Sequence, residues 1–239
     1  MVLLYARSRQ QTFEVDRLCF LSTRTFRATG YRLTTELVKT IIRVFTWAIN
    51  EQMLFFVNHI LAFILGQFKI LSQLKKLGVI SHDLSCKRVL EVGCGSGGIL
   101  VPFTEIGAEV VGIDFDDTYM EAGRKRGLNL IDQSIYEFQA ENKFDLIILK
   151  DVLEHLPDLN LVLQRLKSLL SETGIVYIQV PTFEGLEFLG YQNDFLRYFQ
   201  NAHIVHFSEA SLNYVFAKNG FDTVYSDVNG LAVFRHKVG

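Results

Sequence analysis

Cysteine is scarce in this chain, and the three present, Cys19, Cys86 and Cys94, share no metal-ligand spacing. An odd count without such spacing excludes a disulfide framework and a zinc site, and fits a reducing compartment. Net charge is equally sparse. The balance is −2, with acidic and basic residues intermixed, so no polyanion-binding surface is expected and nucleic acid is excluded as a partner. Uninterrupted apolar runs are also missing. Residues 37–68 come nearest, but Arg43, Asn50, Glu51, Gln52, Asn58, His59 and Gln67 break them up, and no window of about 20 apolar residues survives to span a bilayer. No basic start leads into an apolar block with a small-residue cleavage site, so no secretory signal is expected. Internal repeats and low-complexity segments are absent. What remains is a chain of 239 residues, 49% apolar and 21% charged, with enough apolar material for one large domain carrying a helical extension.

The first 36 residues carry Arg7, Arg9, Arg17, Arg24, Arg27 and Arg32 among serines and threonines. That composition leans towards a transit peptide, but Glu14, Asp16 and Glu36 oppose it, since such peptides are poor in acids. A cytoplasmic location is expected, with mitochondrial targeting as the alternative. Residues 37–68 read as two amphipathic helices that either cap the main domain or lie on a membrane surface. A third helix is expected from Phe68 to Leu77, closed by Gly78. These elements make an N-terminal extension of residues 1–78, ahead of a main domain at 79–239.

After Gly78, strands and helices alternate. Strands are expected at Val89–Val92, Glu109–Ile113, Leu128–Ile131, Phe144–Leu149, Gly174–Val180, Phe221–Ser226 and Leu231–Lys237. Helices are expected at Gly97–Ile106, Asp117–Lys125, Leu159–Leu170 and from Ser208 to Gly220. Regular alternation means a mainly parallel sheet covered by helices on both faces. Asn229-Gly230 marks a tight hairpin between the last two strands, which makes the final strand antiparallel.

In such a sheet, ligands bind at the carboxyl ends of the strands. The run Arg88-Val89-Leu90-Glu91-Val92 meets four glycines in six residues, Gly93 to Gly98. A strand feeding a glycine-rich turn presents backbone amides to the polar part of a nucleotide-like ligand. Side chains at Gly93 or Gly95 would stand where that ligand approaches. Asp114 closes the second strand about 20 residues after Gly93, where a carboxylate accepts from a ribose. Two readings fit so far: a nicotinamide-dependent dehydrogenase, or another enzyme using an adenosine-containing cofactor. Glu91 separates them, because an acid beside the turn repels a pyrophosphate and suits a cationic amine.

The motif Glu91-Val92-Gly93-Cys94-Gly95-Ser96-Gly97 is followed by Asp114, by Phe144-Asp145-Leu146-Ile147-Ile148, and by Asp151-Val152-Leu153-Glu154-His155-Leu156. Together they resemble the class I S-adenosylmethionine-dependent methyltransferases. The later Ala202-His203-Ile204-Val205-His206-Phe207-Ser208, with Gly220-Phe221, is similar to the subgroup of ubiquinone-type O-methyltransferases and of enzymes accompanying sugar and polysaccharide synthesis. The resemblance covers roughly Cys86 to Lys237. It implies a Rossmann-like fold with a seven-stranded, mostly parallel sheet, S-adenosylmethionine as cofactor, and methyl transfer to O or N of a small-molecule or sugar-type acceptor. It also implies that Glu91, Gly93 and Gly95, in a turn completed by Cys94 and Gly97, hold the methionyl end, and that Asp114 holds the ribose. Phe115 would lie on the adenine, Asp132 or Gln133 would meet its amino group, and Lys150 and Asp151 would line the cleft near the sulfonium.

An O–H or N–H acceptor must lose a proton, and histidine is the natural base near neutral pH. His155 is the first candidate, with Glu154 beside it. His206, with His203 three residues earlier, is the next. Asp151, Glu154 and His155 imitate a metal triad, but the ubiquinone-type relatives that bind a metal carry glutamate in the first position, and no metal is assigned. The aromatic stretch from Phe183 to Phe199 (Phe188, Tyr191, Phe195, Tyr198) reads as an acceptor lid or lining. A catalytically silent cofactor-binding module and an NAD(P)-dependent oxidoreductase stand as alternatives.

Overall fold

The computed structural model describes residues 68–80, 84, 87–185, 199 and 202–237. The amphipathic stretch 37–68, apart from Phe68, the arginine-rich start, and Phe188, Tyr191, Phe195 and Tyr198 lie outside them. The described residues lie within one compact unit, Ile64–Gly239. Among them no helix is long and apolar enough to cross a membrane.

Seven strands form one sheet: β1 (Arg88–Val92), β2 (Glu109–Asp114), β3 (Leu130–Asp132), β4 (Phe144–Lys150), β5 (Leu170–Gln179), β6 (Phe221–Ser226) and β7 (Leu231–His236). Their order is β3-β2-β1-β4-β5-β7-β6. Strands β1 to β5 pair in parallel, and β7 runs antiparallel to β5 and β6. Hence the sequence-derived sheet, including the reversed final strand, is the one observed. β1 and β4 occupy its middle because their apolar runs are buried on both faces. The chain steps outwards from β1 to β2 and β3, then returns to place β4 on β1's other side. This reversal opens a crevice beyond the carboxyl ends of β1 and β4, where ligands bind in open α/β sheets.

Residues 68–76 are helical (α1) and end at Gly78, whose φ of 68° supplies the left-handed cap. The remaining helices are α2 (Val101–Glu105), α3 (Asp117–Arg124), α4 (Leu159–Leu169) and α5 (Glu209–Lys218). Caps set their starts. Asp116 accepts from the Thr118 amide, Asp158 accepts from the Leu161 amide, and Ser208 and Ser211 form a reciprocal capping box. Two starts differ from expectation by more than two residues. α2 begins at Val101 rather than Gly97, because the chain stays in turns through Leu100, and Gly97 itself has a φ of 71°. β5 begins at Leu170, pairing with Phe144 across an irregularity before regular pairing resumes at Ile175.

Alternation along the strands divides the core. Leu90, Val92, Ile147, Leu149, Val176 and Ile178 pack with Val162, Leu163 and Leu166 of α4 and with Leu212 and Phe216 of α5. Phe216 stacks on Phe234 of β7 with ring centroids 3.8 Å apart. The register places Glu91, Ile148 and Tyr177 in one row on the opposite face. There the Tyr177 hydroxyl donates to Gln73 Oε1 of α1 (2.9 Å) and stands 3.2 Å from Gln179 Oε1. Burial, then the charges of Asp151 and Asp227, push the phenol well above its usual range, so it remains a donor.

Tyr177→Phe removes this buried donor and leaves the Gln73 amide oxygen short of a partner. Urea unfolding should show a loss of about 1–3 kcal/mol, the cost of an unmet buried polar group. An unchanged midpoint would mean that α1 is not tied to the sheet through this hydroxyl.

Candidate functional site

The turn after β1 is built by hydrogen bonds to the end of β2. Gly93 and Cys94 both donate amide protons to the Ile113 carbonyl (2.8 and 3.1 Å), and Gly97 donates to the Cys94 carbonyl (2.8 Å). Asp114 then closes the turn from the side. Its Oδ2 accepts from the Gly95 amide (2.8 Å), and its Oδ1 accepts from the amides of Phe115 (2.8 Å) and Asp116 (3.1 Å). A carboxylate offers about four lone-pair sites, so three are used and roughly one remains for a ligand hydroxyl. Asp114 is therefore a structural clasp as well as a candidate ligand group. That double role is invisible in the sequence.

The two expected ligand-facing glycines differ in reason. At Gly93, with a φ of 70°, a Cβ would come within 2.4 Å of Val152 Cγ2, so the close approach is to the protein's own chain after β4. At Gly95, with a φ of 48°, a Cβ would meet nothing within 4 Å. The backbone there borders open space. Cys94 is buried and free, its thiol pushed up to about 12 by burial and then by Glu91 and Asp114. It is no nucleophile near neutral pH.

Glu91 is 3% exposed, and its Oε2 is buried without a hydrogen-bond partner among the described residues. Burial raises its pKa well above the usual carboxylate range; Lys150 opposes this and Asp114 adds to it. Lys150, ending β4, is ion-paired with Asp151. Asp151 has a φ of 55°, uncommon outside glycine, and its amide donates to the Gln179 carbonyl (2.8 Å). This bend turns the chain back across the crevice. Phe115 is 82% exposed, and Asp132 and Gln133 are exposed beyond β3, with the Gln133 amide donating to the Asp114 carbonyl (3.0 Å). Glu91, the turn from Gly93 to Gly97 and Asp114 thus meet at the ends of β1 and β2, and Lys150 and Asp151 stand at the adjoining end of β4.

A second cluster lies just beyond. Leu153–His155 form a single 3-10 turn in which Glu154 is 1% exposed, with neither carboxyl oxygen hydrogen-bonded among the described residues. Burial, aided by Asp151, pushes this acid up to about 7, against the pull of its own backbone amide, His155 and Lys150. Glu154 Oε1 is 3.9 Å from His155 Nε2. His155 Nδ1 lies 2.7 Å from the Ala202 carbonyl oxygen. A carbonyl only accepts, so Nδ1 carries the proton and the Nε2 lone pair is left available. The Glu154 backbone carbonyl accepts from the amides of Ile204 (2.8 Å) and Val205 (3.1 Å), which holds the segment bearing His203 against this turn.

The rings of His155 and His203 meet edge to face at 5.0 Å. His206 stands one step further out, 6.2 Å from His203 and 4.5 Å from Phe199, with Phe183 at 6.2 Å. One donor atom each from Glu154, His155 and His203 fall within 4.8 Å of one another, a set that could hold a metal ion. This set differs from the Asp151-containing triad suggested by the sequence, because Asp151 is engaged by Lys150. The contributions of Val152, the Ala202 carbonyl and the Gln179 carbonyl escaped the sequence reading. Each acts through packing or backbone across a long separation, and no residue-type pattern signals it.

Residues 58–226 match a family of methyltransferase domains. Among curated proteins, the ubiquinone biosynthesis O-methyltransferase of Rhodopseudomonas palustris (strain TIE-1) is 32% identical over 107 residues, 41% of this chain and 42% of that protein. Its counterpart from Bradyrhizobium sp. (strain ORS 278) is 33% identical over 101 residues, 40% of each chain. The alignment thus spans less than half the length of these curated relatives. Among solved structures, a SAM-dependent methyltransferase from Thermotoga maritima superposes with a TM-score of 0.56 at 20% identity, covering 76% of this chain and 95% of that one. The N-methyltransferase NodS from Bradyrhizobium japonicum WM9 gives 0.52 at 18% identity, covering 70% and 94%. At such identities the likeness is one of fold, and it agrees with the glycine turn and strand order derived above. This chain belongs to the methyltransferase-domain family and has the class I S-adenosylmethionine-dependent methyltransferase fold.

Proposed function

We propose that the protein transfers a methyl group from S-adenosylmethionine to a hydroxyl oxygen of a small-molecule acceptor. The observation carrying this reading is the pairing of a buried, partnerless Glu91 oxygen with open space at Gly95. That is a cradle for a cationic amine beside bare backbone, and its carboxyl has no positive charge to offer a pyrophosphate. Glu91 would hold the methionyl amine, and the amides from Gly93 to Gly97 the carboxylate. The remaining acceptor site of Asp114 would take one ribose hydroxyl. Phe115 would cover the adenine, and Asp132 or Gln133 would meet its edge. When bound, the cofactor supplies an electrophilic methyl group on a sulfonium with a good leaving group.

The chain's own task is alignment and proton removal. The Ala202 carbonyl holds the His155 tautomer, and Nε2 stands 3.9 Å from Glu154 Oε1. His155 takes the acceptor proton at Nε2, and Glu154 steadies the resulting imidazolium. Lys150 and Asp151 line the entrance, and the mutually inclined rings of Phe183, Phe199 and His206 offer the acceptor an aromatic wall. A neutral amine can attack before losing its proton, whereas a hydroxyl gains from a base. The base therefore supports O-methylation, as does the likeness to the ubiquinone biosynthesis O-methyltransferase of R. palustris. Because Nδ1 is committed, a metal at Nε2 would occupy the same lone pair. Turnover that survives a chelator supports His155 as a base, and turnover restored only by an added divalent cation overturns that role.

S-adenosylhomocysteine should raise the melting temperature of the full chain, and NAD or NADP should not. A shift with NAD alone would sink the methyltransferase reading. Turnover of a hydroxylated acceptor separates an enzyme from a silent cofactor-binding module.

Asp114→Ala should weaken cofactor binding by about 1.5–3 kcal/mol, the range for hydrogen bonds to a charged group. It should also lower the melting temperature without ligand, since three amides lose their acceptor. Lost binding with unchanged stability would contradict the clasp.

His155→Ala should lower turnover by about 10²–10⁴, the usual worth of general-base help, with cofactor affinity within a few-fold. His155→Asn should rescue little. Near-normal turnover in both would move the base to His203 or His206.

A further inference from the structure

Glu91 presents an electrostatic problem that the ligand-free fold leaves unsolved. The carboxyl sits in the sheet row Gly112–Glu91–Ile148–Tyr177, where its neighbours are backbone, an isoleucine and a neutral phenol. The charged and titratable groups around it come from four directions. At the end of β4 is Lys150, whose ammonium is held by Asp151. At the end of β2 is Asp114, a like charge already fixed by three amides. In the turn is the neutral thiol of Cys94. On β5 is Tyr177, whose link to α1 is the uncharged Gln73. None of these supplies a committed cation, and Oε2 has no hydrogen-bond partner among the described residues. An ionised, unpaired carboxylate at 3% exposure is far costlier than a neutral acid.

We propose that Glu91 is a neutral carboxylic acid in the ligand-free protein and gives up its proton when an organic ammonium docks against it. Binding then exchanges one hydrogen ion, released to solvent, for one cation held as an ion pair. The inference rests on the reading that S-adenosylmethionine or its product occupies the glycine turn. Burial acts in the same direction, holding the Glu91 acid well above the carboxylate range until a positive charge arrives. The exchange also explains selectivity. A ligand with adenosine but no ammonium leaves the acid neutral and forfeits the ion pair.

The sign follows directly. Where free Glu91 is protonated, each unit of rising pH makes proton release tenfold easier, so affinity climbs with pH and levels off once the free acid is ionised. The test is calorimetric titration of S-adenosylhomocysteine into the full chain at about pH 6.5, in two buffers of different ionisation enthalpy, with affinities followed from about pH 5.5 to 7.5. The ligand's amine stays cationic across this range. Wild type should release about one proton, and its affinity should rise about tenfold per pH unit at the acid end. Glu91→Gln, which keeps the shape but cannot ionise, should bind more weakly, exchange no proton and show a flat pH profile.

Buffer-independent heats with a flat wild-type profile overturn the proposal. So does proton release that persists in Glu91→Gln or disappears in Glu154→Gln, since Glu154 is the other buried acid of the site. If Glu91→Gln binds too weakly to measure, the wild-type slope together with its persistence in Glu154→Gln still supports the proposal. Wild type that binds no S-adenosylhomocysteine in any buffer fails the methyltransferase reading itself, and the proposal falls with it.

Discussion

One carboxylate holds the ligand end of this sheet in shape. Asp114 stands where β2 stops, and by accepting from Gly95, Phe115 and Asp116 it joins the turn after β1 to the start of α3. Three charge-assisted hydrogen bonds from backbone amides are strong and directional. They fix a turn whose glycines would otherwise give it many conformations. The open backbone at Gly95 exists because Asp114 pins the amide on one side of it. Val152 closes against Gly93 on the other side, so the turn is gripped between the chain after β2 and the chain after β4. The crevice is thus a product of strand order, made rigid by one side chain and one close contact.

The acids at the strand ends have the same chemistry and different environments. Asp114 is saturated by amides, and Asp151 is exposed and paired with Lys150. Glu91 and Glu154 are buried with unmet oxygens. Burying a carboxyl without a partner works against stability, so such groups persist where function requires them, and here both line the crevice region. A fold that satisfied Glu91 internally would leave less for a cationic ligand to gain. On the proposed reading, function and stability pull apart at that residue, whereas at Asp114 they coincide.

Much of this was legible in the chain itself. The apolar runs of β1 and β4, the glycines after β1 and the Asn229-Gly230 turn are local signals, and they specify the alternation and the reversed last strand. The motif from Glu91 to Gly97 and the separation to Asp114 locate the crevice for the same reason. The tight approach of Val152 to Gly93, the Ala202 carbonyl that sets the His155 tautomer, and the place of His203 beside His155 were not legible. All three arise from tertiary juxtaposition, in which backbone atoms of any residue type would serve. The late start of α2 is intermediate: Pro102 near its first turn is a visible marker, but the preceding turns depend on the hydrogen bonds of Cys94 and Gly97.

The stretch between Gly185 and Ala202 is anchored at both ends. Thr182 forms a parallel bridge with Phe207, and the Phe183 amide donates to the Phe207 carbonyl (3.0 Å). Further in, Ile204 and Val205 bond to the Glu154 carbonyl. With both ends clamped to the sheet side of the crevice, changes in the length of the intervening chain cost mainly closure entropy, which grows slowly with residue number. Evolution, or an engineer, can therefore exchange that stretch as a cassette. The glycine turn and the strand ends stay in register while the intervening chain changes.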